Sequence, residues 1–355
     1  FFIRRSGNIV VADTFIKAHH PLLIPAHSSV KILLDQSYET TAYPELIVSN
    51  GKGATVKLTY AEALVDSKDQ KGNRNDISGK TIKGLFDIFY PDGGNQRKFM
   101  PLWFRTYRYL QIEVQTKNEP LLINDLYGYY TGYPFHQVST FSSNDSSLQT
   151  IWNVGWRTAR LCAGETYFDC PYYEELQYEA DTRIQSLISL YNSGDDRLMR
   201  KAIHDFYDSR VPSGLTQGRY PSNRLQVIPP FSLFWISMLH DYWMLRDDTT
   251  FVKNYLDATT LIINWYEQHI DPAKQMLGPM DWWSFTDWNN AFPGGVPPGA
   301  TDGNSSVITL QFVYTLHQAA DLFNYFGRKD LAEKYKQLSD TLDADVYKNC
   351  VDSKK

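Results

Sequence analysis

The sequence predicts a multidomain protein of β then α type: an antiparallel β-sandwich followed by part of an (α/α)6 toroid. Three observations carry this. Short runs of period two fill the first part of the chain, runs of helical period fill the rest, and the change falls where Ser142, Ser143, Asn144 and Asp145 offer N-cap chemistry. At 355 residues the chain is long enough for two apolar cores.

The sandwich is expected over residues 1–138. Alternating apolar and polar positions mark strands at 8–11, 29–34, 46–48, 55–60, 108–114 and 121–123. Turn-rich stretches such as Asn50-Gly51-Lys52-Gly53 and Asp92-Gly93-Gly94-Asn95 separate them, and no long segment there has the helical period. Residues 139–355 then read as about seven helices, near 147–165, 172–193, 196–210, 230–247, 249–269, 304–326 and 329–347. Their pairing, aromatic content and alternating connection lengths suit a ring of helical hairpins. Seven helices fill only about half of a six-hairpin ring and would leave apolar inner faces open, so the native protein is expected to continue past Lys355.

Composition narrows the function classes. Hydrophobic residues at 43% and charged residues at 21% fit a globular protein in water, and no apolar run approaches the roughly 20 residues of a membrane span. A formal net charge of −5 without a dense Lys/Arg stripe argues against nucleic acid and for a neutral ligand. Phe1 opens directly on strand-like sequence, so no targeting peptide is expected within these residues; location stays open, with the periplasm or cell exterior favoured over the cytoplasm. The three cysteines lack metal-ligand spacing and are odd in number, which disfavours a disulfide framework. The eight histidines form no His-x-x-x-His pair, so no metal or other cofactor is expected. The sequons at Asn144 and Asn304 carry no weight alone. Aromatic residues reach 15%; most such side chains are core, but those clustered beside carboxylates are candidates for stacking on sugar rings.

One segment holds that combination: Phe168-Asp169-Cys170-Pro171-Tyr172-Tyr173-Glu174-Glu175-Leu176-Gln177-Tyr178-Glu179-Ala180-Asp181. Pro171 suits the first position of a helix capped by Asp169 or Cys170. On such a helix Glu174, Tyr178 and Asp181 would share one face, with Asp169 just before it. Glu175 and Glu179 read more simply as first-turn acids opposing the helix dipole. Partial burial and neighbouring like charge would raise a carboxyl pKa, as a general acid requires.

These residues resemble the acid-bearing motif of glycoside hydrolase family 78, the α-L-rhamnosidases, through Asp169-Cys170-Pro171, Glu174, Tyr178 and Asp181. The run Trp103-Phe104-Arg105-Thr106-Tyr107-Arg108-Tyr109 and the stretch 142–156 are similar to that family's junction between sandwich and barrel, and Thr286-Asp287-Trp288 resembles its Gly-Asp-Trp loop. Tyr173 stands where an Arg commonly precedes the acid, Tyr178 replaces a more usual Trp, and Val227 to Phe231 stand where many members carry Trp-Gly-Asp-Ala. The resemblance implies a divergent bacterial-type member with Glu174 as general acid and with Asp169 and Asp181 holding sugar hydroxyls. A 6-deoxy sugar needs an apolar wall beside hydrogen-bonding groups, so Tyr178, Arg219, Trp282, Trp283, Asp287 and Trp288 are the candidate contacts to a rhamnose-containing glycan or glycoside. Inversion needs a second carboxylate about 6.5–9.5 Å from the acid. The family's pattern puts that base beyond Lys355, so these residues alone are expected to be inactive. The alternatives are another toroid glycosidase, a glycan lyase, or a glycan-binding protein without catalysis.

Overall fold

The computed structural model describes residues 1–7 and 9–351. Contacts divide the chain into two units, one made of Phe1–Tyr133 with Pro171–Tyr173, the other of Pro134–Cys170 with Glu174–Lys355.

The first unit is antiparallel. Its elements are β1 (Phe2–Ser6), α1 (Thr14–Lys17), β2 (Leu22–Ile24), β3 (Ser29–Asn50), β4 (Thr55–Ala61), β5 (Phe86–Phe89), β6 (Arg97–Phe99), β7 (Arg105–Gln115) and β8 (Leu121–Tyr130). The order β2-β8-β3-β7-β4-β5 runs through β3, which also pairs with β1 and β6. The first part of β3 pairs with β7, from Ser29 opposite Gln115 to Asp35 opposite Tyr109. Its second part pairs with β8, from Ala42 opposite Tyr130 to Asn50 opposite Leu121. A register shift between Asp35 and Thr40 lets one strand serve both partners, and Ser37 takes a left-handed φ of 68° within it. The alternating side chains Ile32, Leu34, Leu46, Val48, Val56, Leu58, Ile112 and Val114 close one core.

Two expected strands, 29–34 and 46–48, are therefore one. The run from Asp35 to Thr41 interrupts the apolar alternation, yet Thr40 and Thr41 stay in the ladder opposite Tyr107 and Thr106. The expected strand at 8–11 is not formed: Asn8 lies outside the described residues, 9–11 are irregular, and the pairing strand is β1. In the same unit the Tyr172 hydroxyl donates to the Tyr60 carbonyl oxygen at 3.0 Å. Glycine at position 84 permits this approach, since a Cβ there would lie 1.9 Å from that oxygen.

The second unit is helical: α2 (Ser146–Leu161), α3 (Glu179–Ser193), α4 (Arg197–Asp208), α5 (Pro229–Leu245), α6 (Thr249–Lys253), α7 (Leu256–Glu267), α8 (Ser306–Tyr325) and α9 (Lys329–Cys350), with a small hairpin of β9 (Ile270–Asp271) and β10 (Met276–Leu277). Asp145 caps α2 by accepting from the Ser147 amide at 2.9 Å. Pro229 and Pro230 open α5, where the missing amides cost nothing. That helix is apolar nearly all round and lies in the core, with Trp235 fully buried and its Nε1 donating to the Ile203 carbonyl at 3.0 Å. The expected single helix over 249–269 is two, α6 and α7, because the chain turns at Asn254 and Tyr255. Among the described residues no helix is long and apolar enough to cross a membrane.

Candidate active site

The motif does not form the expected helix from Pro171. Residues 171–174 make a turn, and α3 begins only at Glu179 with Tyr178 as its extended N-cap. Local bonds explain the difference. Asp169 and Leu176 are tied twice, by the Asp169 amide on the Leu176 carbonyl at 2.8 Å and by the Leu176 amide on Asp169 Oδ1 at 3.3 Å. The Glu174 amide donates to Cys170 Sγ at 3.2 Å, and Glu175 follows with a left-handed φ of 50°. A φ of that sign is sparsely populated outside glycine, and such residues gather at functional loops. The extended piece that follows pairs with a second segment: the Glu179 amide donates to the Gly218 carbonyl at 3.0 Å, and the Tyr220 amide to the Gln177 carbonyl at 3.1 Å. Gln177, buried, adds its Nε2 to the Tyr220 carbonyl at 2.8 Å.

Glu174, Tyr178 and Asp181 thus meet through a turn and a cap rather than along one helix face. With Asp169 they line a pocket of about 280 Å³. Its other wall comes from the start of α5, through Ile228, Phe231 and Phe234, and from the loop carrying Trp283, Phe285, Thr286, Asp287 and Trp288. The aromatic rings there pack together, Trp283 on Phe285 at 4.6 Å and Phe285 on Trp288 at 5.2 Å between centroids. The Thr286 amide holds the loop by donating to the Gly295 carbonyl at 2.9 Å. Gly295 has φ 75°, and a Cβ there would strike the Phe285 ring at 2.2 Å.

Two expected contacts fall elsewhere. Trp282 is 51% exposed and outside the pocket lining; its φ of 74° turns the chain so that it and Trp283 part company. Arg219 does not line this pocket but reaches it indirectly, its Nη1 donating to the Tyr178 hydroxyl at 3.3 Å. Phe231, Phe234 and Phe285 are lining residues that sequence reasoning did not single out. Phe285 stood within the aromatic run, whereas Phe231 and Phe234 carry no signal beyond their position just after a Pro-Pro helix start.

Among the described residues, Asp169, Glu174, Asp181 and Asp287 form no ion pair with a cation. Burial, then the charges of Glu174 and Asp181, raise the Asp169 carboxyl from an ordinary 3.8 to about 6 against backbone amides that oppose the shift. Asp181 is raised as well, chiefly by burial and further by Asp287 and Glu174. Glu174 itself is exposed, so the half-buried carboxyl expected at that position is found at Asp169 instead. Burial and then the Glu174 carboxyl push the Tyr178 hydroxyl up to about 12.

Glu179 departs most from expectation. Read as a first-turn acid facing the helix dipole, it is instead fully buried. Its Oε2 accepts from the Thr216 hydroxyl at 2.9 Å, and that hydroxyl lies 2.7 Å from Ser232 Oγ. Among the described residues Oε1 has no hydrogen-bond partner, and burial raises the carboxyl well above its ordinary value. The buried carboxyl links the start of α3 to Thr216 and, through that hydroxyl, to Ser232 on α5. Among the described residues no group of three His, Cys, Asp or Glu side chains is placed to hold a metal ion.

Comparison with known proteins agrees with this architecture. The chain superposes on the crystal structure of the GH78 family rhamnosidase of Bacillus sp. GL1 with a TM-score of 0.81 and 21% identity, over 94% of this chain and 33% of that one. For the rhamnosidase from Klebsiella oxytoca with rhamnose bound the TM-score is 0.78 at 17% identity, covering 96% and 66%. For the Streptomyces avermitilis α-L-rhamnosidase complexed with L-rhamnose it is 0.66 at 20% identity, covering 94% and 31%. These likenesses show a common fold, a β-sandwich and part of an (α/α)6 toroid, and the chain spans from 31% to 66% of these three relatives. No curated protein sequence matches it. The family model for the bacterial α-L-rhamnosidase six-hairpin glycosidase domain matches residues 136–355, more than half of the sequence, and the chain therefore belongs to that glycosidase-domain family.

Proposed function

We propose that the protein removes terminal α-L-rhamnose from glycans or glycosides by an inverting mechanism, with Glu174 as the general acid. In this reading residues 1–138 are the sandwich and 139–355 the first half of the catalytic barrel. The observation that carries it is the convergence of Asp169, Glu174, Tyr178 and Asp181 on one pocket whose other wall is Trp283, Phe285 and Trp288. Carboxyls supply protons and hold hydroxyls, while the aromatic wall takes the methyl-bearing face of a 6-deoxy sugar.

The roles divide by environment. Glu174, exposed to the side from which a glycosidic oxygen arrives, protonates the leaving group. Asp169, protonated below about 6, and Asp181 on the first turn of α3 hold sugar hydroxyls. Tyr178 is fixed by Arg219 and orients Glu174 through its hydroxyl. Asp287 faces the same hollow, its Oδ1 anchored by the Trp288 amide at 2.7 Å. The general base, which must activate water from the far side of the ring, comes from outside residues 1–355.

Replacing Glu174 by Gln in the intact enzyme tests the assignment. Hydrolysis of an alkyl α-L-rhamnoside falls roughly a thousandfold, since a general acid contributes about 10²–10⁴, while rhamnose still binds. Retained turnover would remove Glu174 from the role. Proton NMR of the first product reports the stereochemistry: β-L-rhamnose appears before mutarotation under inversion, and α-L-rhamnose would refute it.

A further inference from the structure

Residues 62–85, between β4 and β5, form a long loop of the sandwich unit. Loops of more than about 15 residues are uncommon in compact domains and often functional. This one is held by main-chain bonds. Lys80, 8% exposed, donates from Nζ to the carbonyls of Lys71 at 2.6 Å and Asn73 at 2.8 Å, and the Tyr109 hydroxyl donates to the Arg74 carbonyl at 2.6 Å. A buried ammonium satisfied by backbone carbonyls fixes the stretch 71–74 on the sheet. From that stretch the Lys71 ammonium pairs with the Glu62 carboxylate and lies over the Tyr173 ring, 4.6 Å from its centroid. The Lys71 side chain is only 31% exposed, so its attraction to the ring is weakened little by water.

Tyr173 in turn packs edge-on against Tyr172 at 4.8 Å between centroids, and Tyr172 is bonded to the Tyr60 carbonyl. Both tyrosines belong to the sandwich unit, whereas Glu174, the next residue, belongs to the helical unit. On its far side the turn is held by the Glu174 amide on Cys170 Sγ and the Glu175 amide on the Cys170 carbonyl at 3.3 Å. The Glu174 carboxyl is exposed, and an exposed side chain takes its position mainly from the backbone that carries it. That backbone is anchored one residue away, by the ring under Lys71.

We propose that this loop positions the general acid: Lys71, acting through the Tyr173 ring, holds the turn that carries Glu174 and is a positioning residue of the reaction. The inference rests on the glycosidase reading above and adds to it a side chain of the sandwich unit on which proton delivery depends.

Leaving groups separate positioning of the acid from a merely structural role, because a dinitrophenyl group departs as its anion whereas an alkoxide leaves only with a proton. In the intact enzyme Lys71→Met should lower kcat on an alkyl α-L-rhamnoside about tenfold, and keep kcat on dinitrophenyl α-L-rhamnoside within about twofold of the parent's. Lys71→Arg, which keeps a cation on the ring, should restore the alkyl rate. In a Glu174→Gln background Lys71→Met should add no loss, since the group it positions is gone. Equal losses on both substrates, no loss on either, or an undiminished further loss without Glu174 would overturn the assignment. Tyr173→Leu removes the ring instead of the charge and is expected to give the same pattern, so the outcome does not hang on one variant folding. Hydrogen exchange of the Glu174 and Glu175 amides judges the clamp without turnover. Faster exchange in Lys71→Met with α3 unchanged supports it even if Glu174→Gln shows that another group is the acid, whereas unchanged exchange sinks it.

Discussion

Buried carboxyl groups meet opposite fates in the two units. In the sandwich Asp35, Glu45 and Asp87 are each paired with a cation. Asp35, 2% exposed, takes Arg108 Nε at 3.0 Å and Nη2 at 3.3 Å, with Arg4 at 3.6 Å. Asp87 takes Arg105 through two bonds of 2.9 and 2.7 Å. The Tyr127 hydroxyl, with help from Lys98, outweighs burial and holds Glu45 below the ordinary carboxylate range. In the helical unit Asp169, Asp181 and Glu179 have no such partner among the described residues, and all three are raised. Elsewhere in the same unit a carboxylate is paired as in the sandwich, Asp241 with Arg183 at 2.7 Å. Folding therefore does not leave acids unpaired by default, and a cluster of them around a pocket marks a place where stability yields to chemistry.

That contrast predicts stability effects of opposite sign. The largest is expected for Asp35→Asn, which strands the Arg108 charge in a buried setting and should cost about 3–5 kcal/mol. Urea denaturation followed by sandwich-specific signals would show it, and a loss under about 1 kcal/mol would mean the pair is replaceable by solvent. Glu179→Gln should go the other way. Because the folded carboxyl titrates above its unfolded value of 4.5, the stability it contributes is complete below that pH and is lost as pH rises through the folded value. Gln cannot ionise, so the stability of the variant relative to the parent should rise progressively as pH climbs above 4.5. A pH-independent gap would show that Glu179 has found a cation or water.

The smallest effect should be at Asp169. Its window runs from 3.8 to about 6: stability is complete below 3.8 and declines as pH climbs to 6, and Asn should flatten that slope. With the group only about half buried, screening by solvent reduces the expected gain to about 1 kcal/mol. The same change should cost activity, because the carboxyl is proposed to hold a sugar hydroxyl. A variant more stable yet less active would sharpen the comparison, and one indifferent in both would break it.

Much of this was legible from residue patterns. Period-two runs at 55–60 and 108–114 lie within β4 and β7, since alternation is enough to decide which face of a strand is buried. The cap at Asp145 and the Pro-Pro start of α5 are local chemistry, and local chemistry is written in neighbouring letters. The short strands β5 and β6 escaped notice because four and three residues are too few to establish a period, and none of their side chains is fully buried. The acid motif could be located, together with half of the residues that line the pocket beside it. Its shape could not: Pro171 and the acids after it have every local reason to start a helix.

The sequence by itself determined the two fold classes, the acid segment and the aromatic run near it, because periodicity and composition depend only on neighbours along the chain. Tertiary structure alone decided that the helix waits until Glu179. The segment before it finds its backbone partners at Gly218 and Tyr220, some forty residues away. It also decided which acid is buried. Glu174, Glu175 and Glu179 are the same side chain within six positions, and only the packing of α3 against a distant threonine and serine makes one of them a core residue. Burial is a property of what surrounds a residue in space, and no local pattern encodes that for a polar side chain.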